Sequence, residues 1–132
     1  MDATTREFVR RRARDRCEYC GLPQAASPYF AFHIEHIRAR QHLGSDDSSN
    51  LAFACPDCNA KKGPNLTTIS PDTDLIIELF NPRIHVWNEH FAMIGAEIVG
   101  ISQIGRAMVR LLEMNEEERI AVRAQLQNEG WW

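Results

Sequence analysis

Two Cys-x-x-Cys pairs constrain this 132-residue chain more tightly than any other feature in it. Cys17 and Cys20 flank Glu18-Tyr19, and Cys55 and Cys58 flank Pro56-Asp57. A spacing of two lets each pair grip one tetrahedral ion from a tight knuckle, and four thiolates close the coordination sphere. A closed sphere has no position for water or substrate, so the site reads as an architectural zinc centre tying the end of a first helix to the turn near Cys58. Disulfides are the alternative, but in a reducing cytosol paired thiols of this spacing read as zinc ligands.

Length and composition frame what the staple holds. A chain of this size fits one domain, residues 1–132, with a core small enough to profit from a bound metal. The apolar stretches are much shorter than the ~20 residues that span a bilayer, and Met1 to Arg6 lacks the profile of a secretory signal. We therefore expect a soluble, cytoplasmic protein without a membrane partner. The net charge of −3 excludes a uniformly basic binder. Its distribution is uneven: residues 1–65 sum to +2 and residues 66–132 to −5, so a polyanion would meet the first half.

The expected fold class is α+β. Thr4 with Glu7 is a capping-box pattern, and Thr5 to Arg16 has no Gly or Pro, which predicts a first helix carrying Arg6, Arg10 and Arg14 as one basic stripe. Tyr29 to Ile34 reads as a strand ending near Glu35 or His36. Arg38 to Asn50 is polar and turn-forming, Leu51 to Ala54 is a second strand, and Pro56 starts a short helix that Gly63-Pro64 stops. In residues 66–132, Ala96 to Ile101 pairs with a strand around Trp87 to Met93 across Gly95. Ile104, Ala107, Met108, Leu111 and Leu112 mark a helix face, and Asn115 with Glu118 caps a last helix that Gly130 ends.

Between and after the knuckles stand His33-Ile34-Glu35-His36-Ile37, Asn50-Leu51, and Cys58-Asn59-Ala60-Lys61-Lys62-Gly63. On these residues the segment 17–63 resembles an HNH endonuclease of the zinc-braced type, and residues 79–112 are similar to the tail of small stand-alone bacterial members. The resemblance implies a ββα-metal (His-Me finger) core in residues 1–65, with 66–132 as an extension. It places the three positions of the family name on His36, Asn50 and Asn59, the last being Asn where the name has His. It further implies that a backbone carbonyl supports His36 and that Asn50 pins the loop supplying it.

The chemistry of each position can be argued from the residue. Hydrolysis of a phosphodiester needs a base to make the nucleophile and a cation to absorb charge at phosphorus. His36, with an imidazole pKa of ~6.5, is the base candidate. Glu35 and Asn59 offer hard oxygen ligands for a second ion, magnesium or manganese. His33 shares a strand face with Glu35, and if it ligates, nickel or zinc gains ground. Lys61, Lys62, Arg38 and Arg40 are candidates for neutralising flanking phosphates, none of them specifying a base. His42 could touch the nucleic acid or decorate its loop, and His85 and His90 read as structural or exposed.

These expectations converge on an endonuclease acting on DNA. The alternative is a zinc knuckle that binds nucleic acid or protein without cutting. Trp131 and Trp132 add a third reading, in which the C-terminal half docks a partner or another copy; folding back onto their own chain is the simpler one.

Overall fold

In a computed structural model describing residues 1–132, Asp2 rather than Thr4 caps the first helix, α1 (Ala3–Arg12), its carboxylate accepting the Thr5 N–H at 2.7 Å. The helix stops earlier than its composition suggests, because Arg14 and Asp15 take left-handed backbone angles. That removes Arg14 from the expected stripe, and Arg10 is paired with Glu7 at 3.0 Å and Asp15 at 3.2 Å. Val9 is the fully buried residue of α1, on the side facing the first pair of strands.

The chain packs as two compact units, Met1–Leu66 with Asn81–Arg83, and Thr67–Phe80 with Ile84–Trp132. In the first, β1 (His33–His36) pairs antiparallel with β2 (Leu51–Ala54), Glu35 lying opposite Ala52 and His36 opposite Leu51. The strand begins four residues later than Tyr29 because Gln24 claims the preceding backbone. Its side-chain amide donates to the Phe30 carbonyl at 2.9 Å and accepts the Phe32 N–H at 2.7 Å, fixing a turn there. All four residues of β2 are buried, which explains why Leu-Ala-Phe-Ala shows no alternation. Helix α2 (Pro56–Lys62) follows at once. Pro56 suits its first position, where no N–H is needed, the Cys55 sulfur accepts the Cys58 N–H, and Gly63 ends the helix with φ of 51°.

The second unit holds a hairpin that the sequence did not announce, β3 (Thr67–Ile69) with β4 (Ile76–Glu78). Residues Trp87–His90 form a helical turn, α3, instead of the start of a strand, and the expected hairpin is confined to β5 (Phe91–Ile94) and β6 (Glu97–Gly100) around Gly95. Helix α4 (Gln103–Leu111), capped by Ser102, packs on β6 and buries Ala107 and Met108. The approach is close: a Cβ on Gly105 would lie 1.8 Å from the His90 carbonyl oxygen. Helix α5 (Glu117–Asn128) follows, with Gly130 just past its end. Asn115 does not cap it, because its amide is paired with the N–H and carbonyl of Ile98 at 2.9 and 2.7 Å. Beyond α5, the Trp131 N–H returns to the Leu126 carbonyl at 3.0 Å and the indole is half-buried. The His85 and His90 rings pack against Phe80 and against each other, and His90 Nδ1 bonds Ser102 at 2.6 Å, a structural role. No helix is long and apolar enough to cross a membrane.

Candidate functional site

Cys17, Cys20, Cys55 and Cys58 are all buried, and their sulfur atoms lie within 4.8 Å of one another. A tetrahedral ion with Zn–S bonds of ~2.3 Å requires sulfur pairs about 3.8 Å apart, and Cys20 and Cys55 stand at 3.7 Å. Burial pushes the Cys17 thiol well above its ordinary pKa, so a divalent cation is what would let four thiolates share this pocket. The donor set, spacing and burial fit structural zinc.

Beside the knuckles, His33, Glu35, His36 and Asn59 line one cavity of about 420 Å³, together with Arg40, Gly63 and others. The structure thus brings together β1 and α2, the two elements that carry the proposed base and oxygen ligands. Asn59 is half-buried on α2, and its side-chain amide has no hydrogen-bond partner. His33 is exposed at the head of β1.

Glu35 is held more firmly than a surface ligand. Its carboxylate is buried, accepts the Tyr19 hydroxyl on one oxygen and pairs with the Lys62 ammonium at 3.2 Å on the other. Burial raises the Glu35 pKa, and the neighbouring Lys62 charge and Tyr19 hydrogen bond work against that rise. Burial, with the Glu35 charge beside it, pushes the Tyr19 phenol well up, so it stays protonated and donates. Each Glu35 oxygen keeps a further lone pair beyond these partners. Tyr19 lies between Cys17 and Cys20, so the cysteine framework that would hold zinc also orients the carboxylate.

Lys62 overturns an expectation. Its side chain is 1% exposed, and the ammonium donates to the His36 and Ile37 carbonyls at 3.3 and 3.0 Å as well as to Glu35. A buried, threefold-satisfied ammonium is not available to a passing phosphate.

His36 also differs from what the resemblance implied. Its Nε2 faces the Asp46 carboxylate at 2.7 Å, not a backbone carbonyl. The His36 and Arg40 hydrogen bonds hold the Asp46 carboxyl below its usual range. Asn50 clamps the intervening loop from both ends: its amide nitrogen donates to the Arg38 and Ser45 carbonyls at 3.0 and 2.8 Å, and its oxygen accepts the Arg38 N–H at 2.9 Å. The fit leaves no room for a side chain at Gly44, where a Cβ would fall 1.7 Å from the Arg38 carbonyl oxygen.

Residues 17–65 match the family model described as HNH endonuclease. The likeness to HNH endonucleases is carried by this segment. The match runs from the first knuckle through β1, β2 and α2, under half of the chain, and its family is generally one of nucleases. No curated protein and no solved structure matches the chain.

On the surface of this segment, Lys61, Arg38 and Arg40 are exposed, with Arg38 donating to the His42 carbonyl and Arg40 paired with Asp46 at 3.0 Å. Sequence reasoning missed Tyr19, Asp46 and the inward course of Lys62. Lys62 could have been found, because it follows the buried Cys58 by four residues and so lies on the same helix face. Asp46 carried no local signal among the serines and aspartates of its loop.

Proposed function

We propose that residues 17–65 form an HNH domain, a metal-dependent endonuclease hydrolysing phosphodiester bonds of DNA. The observation that carries this reading is the shared cavity of His36, Glu35 and Asn59, which gathers an imidazole, a carboxylate and an amide with no hydrogen-bond partner in its lining. In this reading Nδ1 of His36 takes a proton from the attacking water. Glu35 and Asn59 hold a magnesium or manganese ion, which supplies charge stabilisation at the phosphate and its leaving oxygen. Lys62 and Tyr19 keep the Glu35 carboxylate oriented, the outer-shell role that metal sites need. Lys61, Arg38 and Arg40 provide exposed positive charge for flanking phosphates, and Asn50 holds the loop over the cavity.

The Glu35–Lys62 pair favours a second reading, a non-catalytic zinc-braced binding module, because a carboxylate already facing an ammonium attracts a cation less strongly. Supercoiled plasmid separates the two. The nuclease reading expects magnesium- or manganese-dependent conversion to relaxed or linear DNA that a chelator too weak to strip the zinc abolishes. Retarded mobility without any strand break in either metal would contradict it and favour the module.

A further inference from the structure

We propose that Asp46 is the positioning residue for His36, fixing the imidazole as the Nε2–H tautomer with Nδ1 open as the base. This assignment rests on the nuclease reading for its catalytic consequence, but its geometry is independent of it. A neutral imidazole has one N–H, and which nitrogen carries it is set by the partner of the other. Here Nε2 lies 2.7 Å from Oδ1 of Asp46, an acceptor only, so Nε2 carries the proton and Nδ1 the lone pair. The ring is 18% exposed and stands in the cavity wall, where water can approach it.

The loop around Asp46 is built to hold that contact. Asn50 binds the carbonyl of Ser45, the residue immediately before Asp46, and the Asn50 N–H bonds the carbonyl of Asp47, immediately after. The loop segment is therefore pinned on both sides of the carboxylate. Arg40 approaches the same Oδ1 with Nε at 3.2 Å and a terminal nitrogen at 3.0 Å, which restrains the carboxylate against rotation. An aspartate in this place does more than a carbonyl can: it carries a full negative charge that supports the imidazolium formed when Nδ1 accepts a proton from water. The proton passes from water to Nδ1 as the hydroxide attacks phosphorus, the bond from phosphorus to the leaving ester oxygen breaks, that oxygen takes up a proton from water, and Asp46 retains its own ionised state throughout. Asn50 is then required twice, for the loop path and for the placement of the carboxylate.

The test pairs a spectroscopic readout with kinetics on the zinc-loaded full chain. Asp46 is 59% exposed, so its replacement leaves the core untouched. Nitrogen-labelled protein at a pH well above the ~6.5 of free imidazole reports the His36 tautomer directly. The native chain is expected to show Nε2–H. Asp46→Ala is expected to show a mixture of tautomers and a kcat for plasmid nicking lower by about ten- to a hundredfold, with KM little changed. Asp46→Asn keeps an acceptor oxygen, so it should restore the tautomer and part of the rate. Asp47→Ala, whose carboxylate touches Ser49 and not His36, should change neither. A tautomer that does not respond to Asp46→Ala, or a kcat that stays native in that variant, overturns the proposal. If the native chain cuts nothing while the tautomer still follows Asp46, the nuclease reading fails and the assignment of Asp46 as the residue orienting His36 stands.

Discussion

Replacing Cys17 or Cys58 with serine is expected to abolish zinc binding and cooperative folding of the first unit, Met1–Leu66 with Asn81–Arg83. The four sulfurs are buried together, and this first unit has few other large side chains in its core: Val9, Tyr19, Phe32, Leu51 and Phe53. A structural zinc contributes roughly 10–16 kcal/mol in small zinc-dependent folds, as much as or more than the ~5–15 kcal/mol that stabilises a whole domain. A serine leaves three buried sulfur ligands without closure. Asn59→Ala provides the contrast, because its amide holds nothing in the fold and its loss should leave zinc content and thermal midpoint near native while removing metal-dependent cutting. Bound zinc by elemental analysis, with circular dichroism melting curves for all three variants, checks the division. Native melting of Cys58→Ser, or loss of fold in Asn59→Ala, would contradict the division of roles.

Lys62→Ala is the second large effect, and it falls on stability before it falls on DNA binding. The substitution strands a buried Glu35 carboxylate, with Tyr19 as its remaining partner, and frees the His36 and Ile37 carbonyls. Breaking one side of a buried ion pair costs about 3–5 kcal/mol, because the surviving charge has lost both water and its counter-ion. Removing both charges in Lys62→Met with Glu35→Gln should recover a large part of that loss. Urea denaturation measures each term. A surface lysine reaching toward phosphate would behave differently: its removal would leave stability within about 0.5 kcal/mol and weaken DNA binding in a salt-dependent way.

Lys62 also shows where a sequence stops speaking. The knuckles, β2 and α2 follow from local rules, since a two-residue spacing, a run of four apolar residues and a proline after a cysteine each act over one or two turns of chain. The place of Asn59 on α2 was legible for the same reason, one residue past Cys58. The direction of Lys62 depends on which helix face meets β1, and that is decided by a carboxylate 27 positions earlier. The partner of His36 comes from a loop whose path Asn50 sets, so composition alone could not separate Asp46 from Asp47. Caps were misread where two candidates compete: Asp2 displaced Thr4, and Asn115 satisfies Ile98 instead of a helix end. The β3–β4 hairpin escaped because its outward residues, Ile69 and Ile76, are apolar, which erases the alternation that marks a half-buried strand.

Plasmid nicking by His36→Ala, compared with the native chain at equal zinc content and in the same magnesium or manganese buffer, tests the central claim most directly. The rate should fall by about a hundredfold or more, the contribution expected of a positioned general base, with zinc content and thermal midpoint unchanged. A variant that retains its zinc and fold and cuts at the native rate would contradict it.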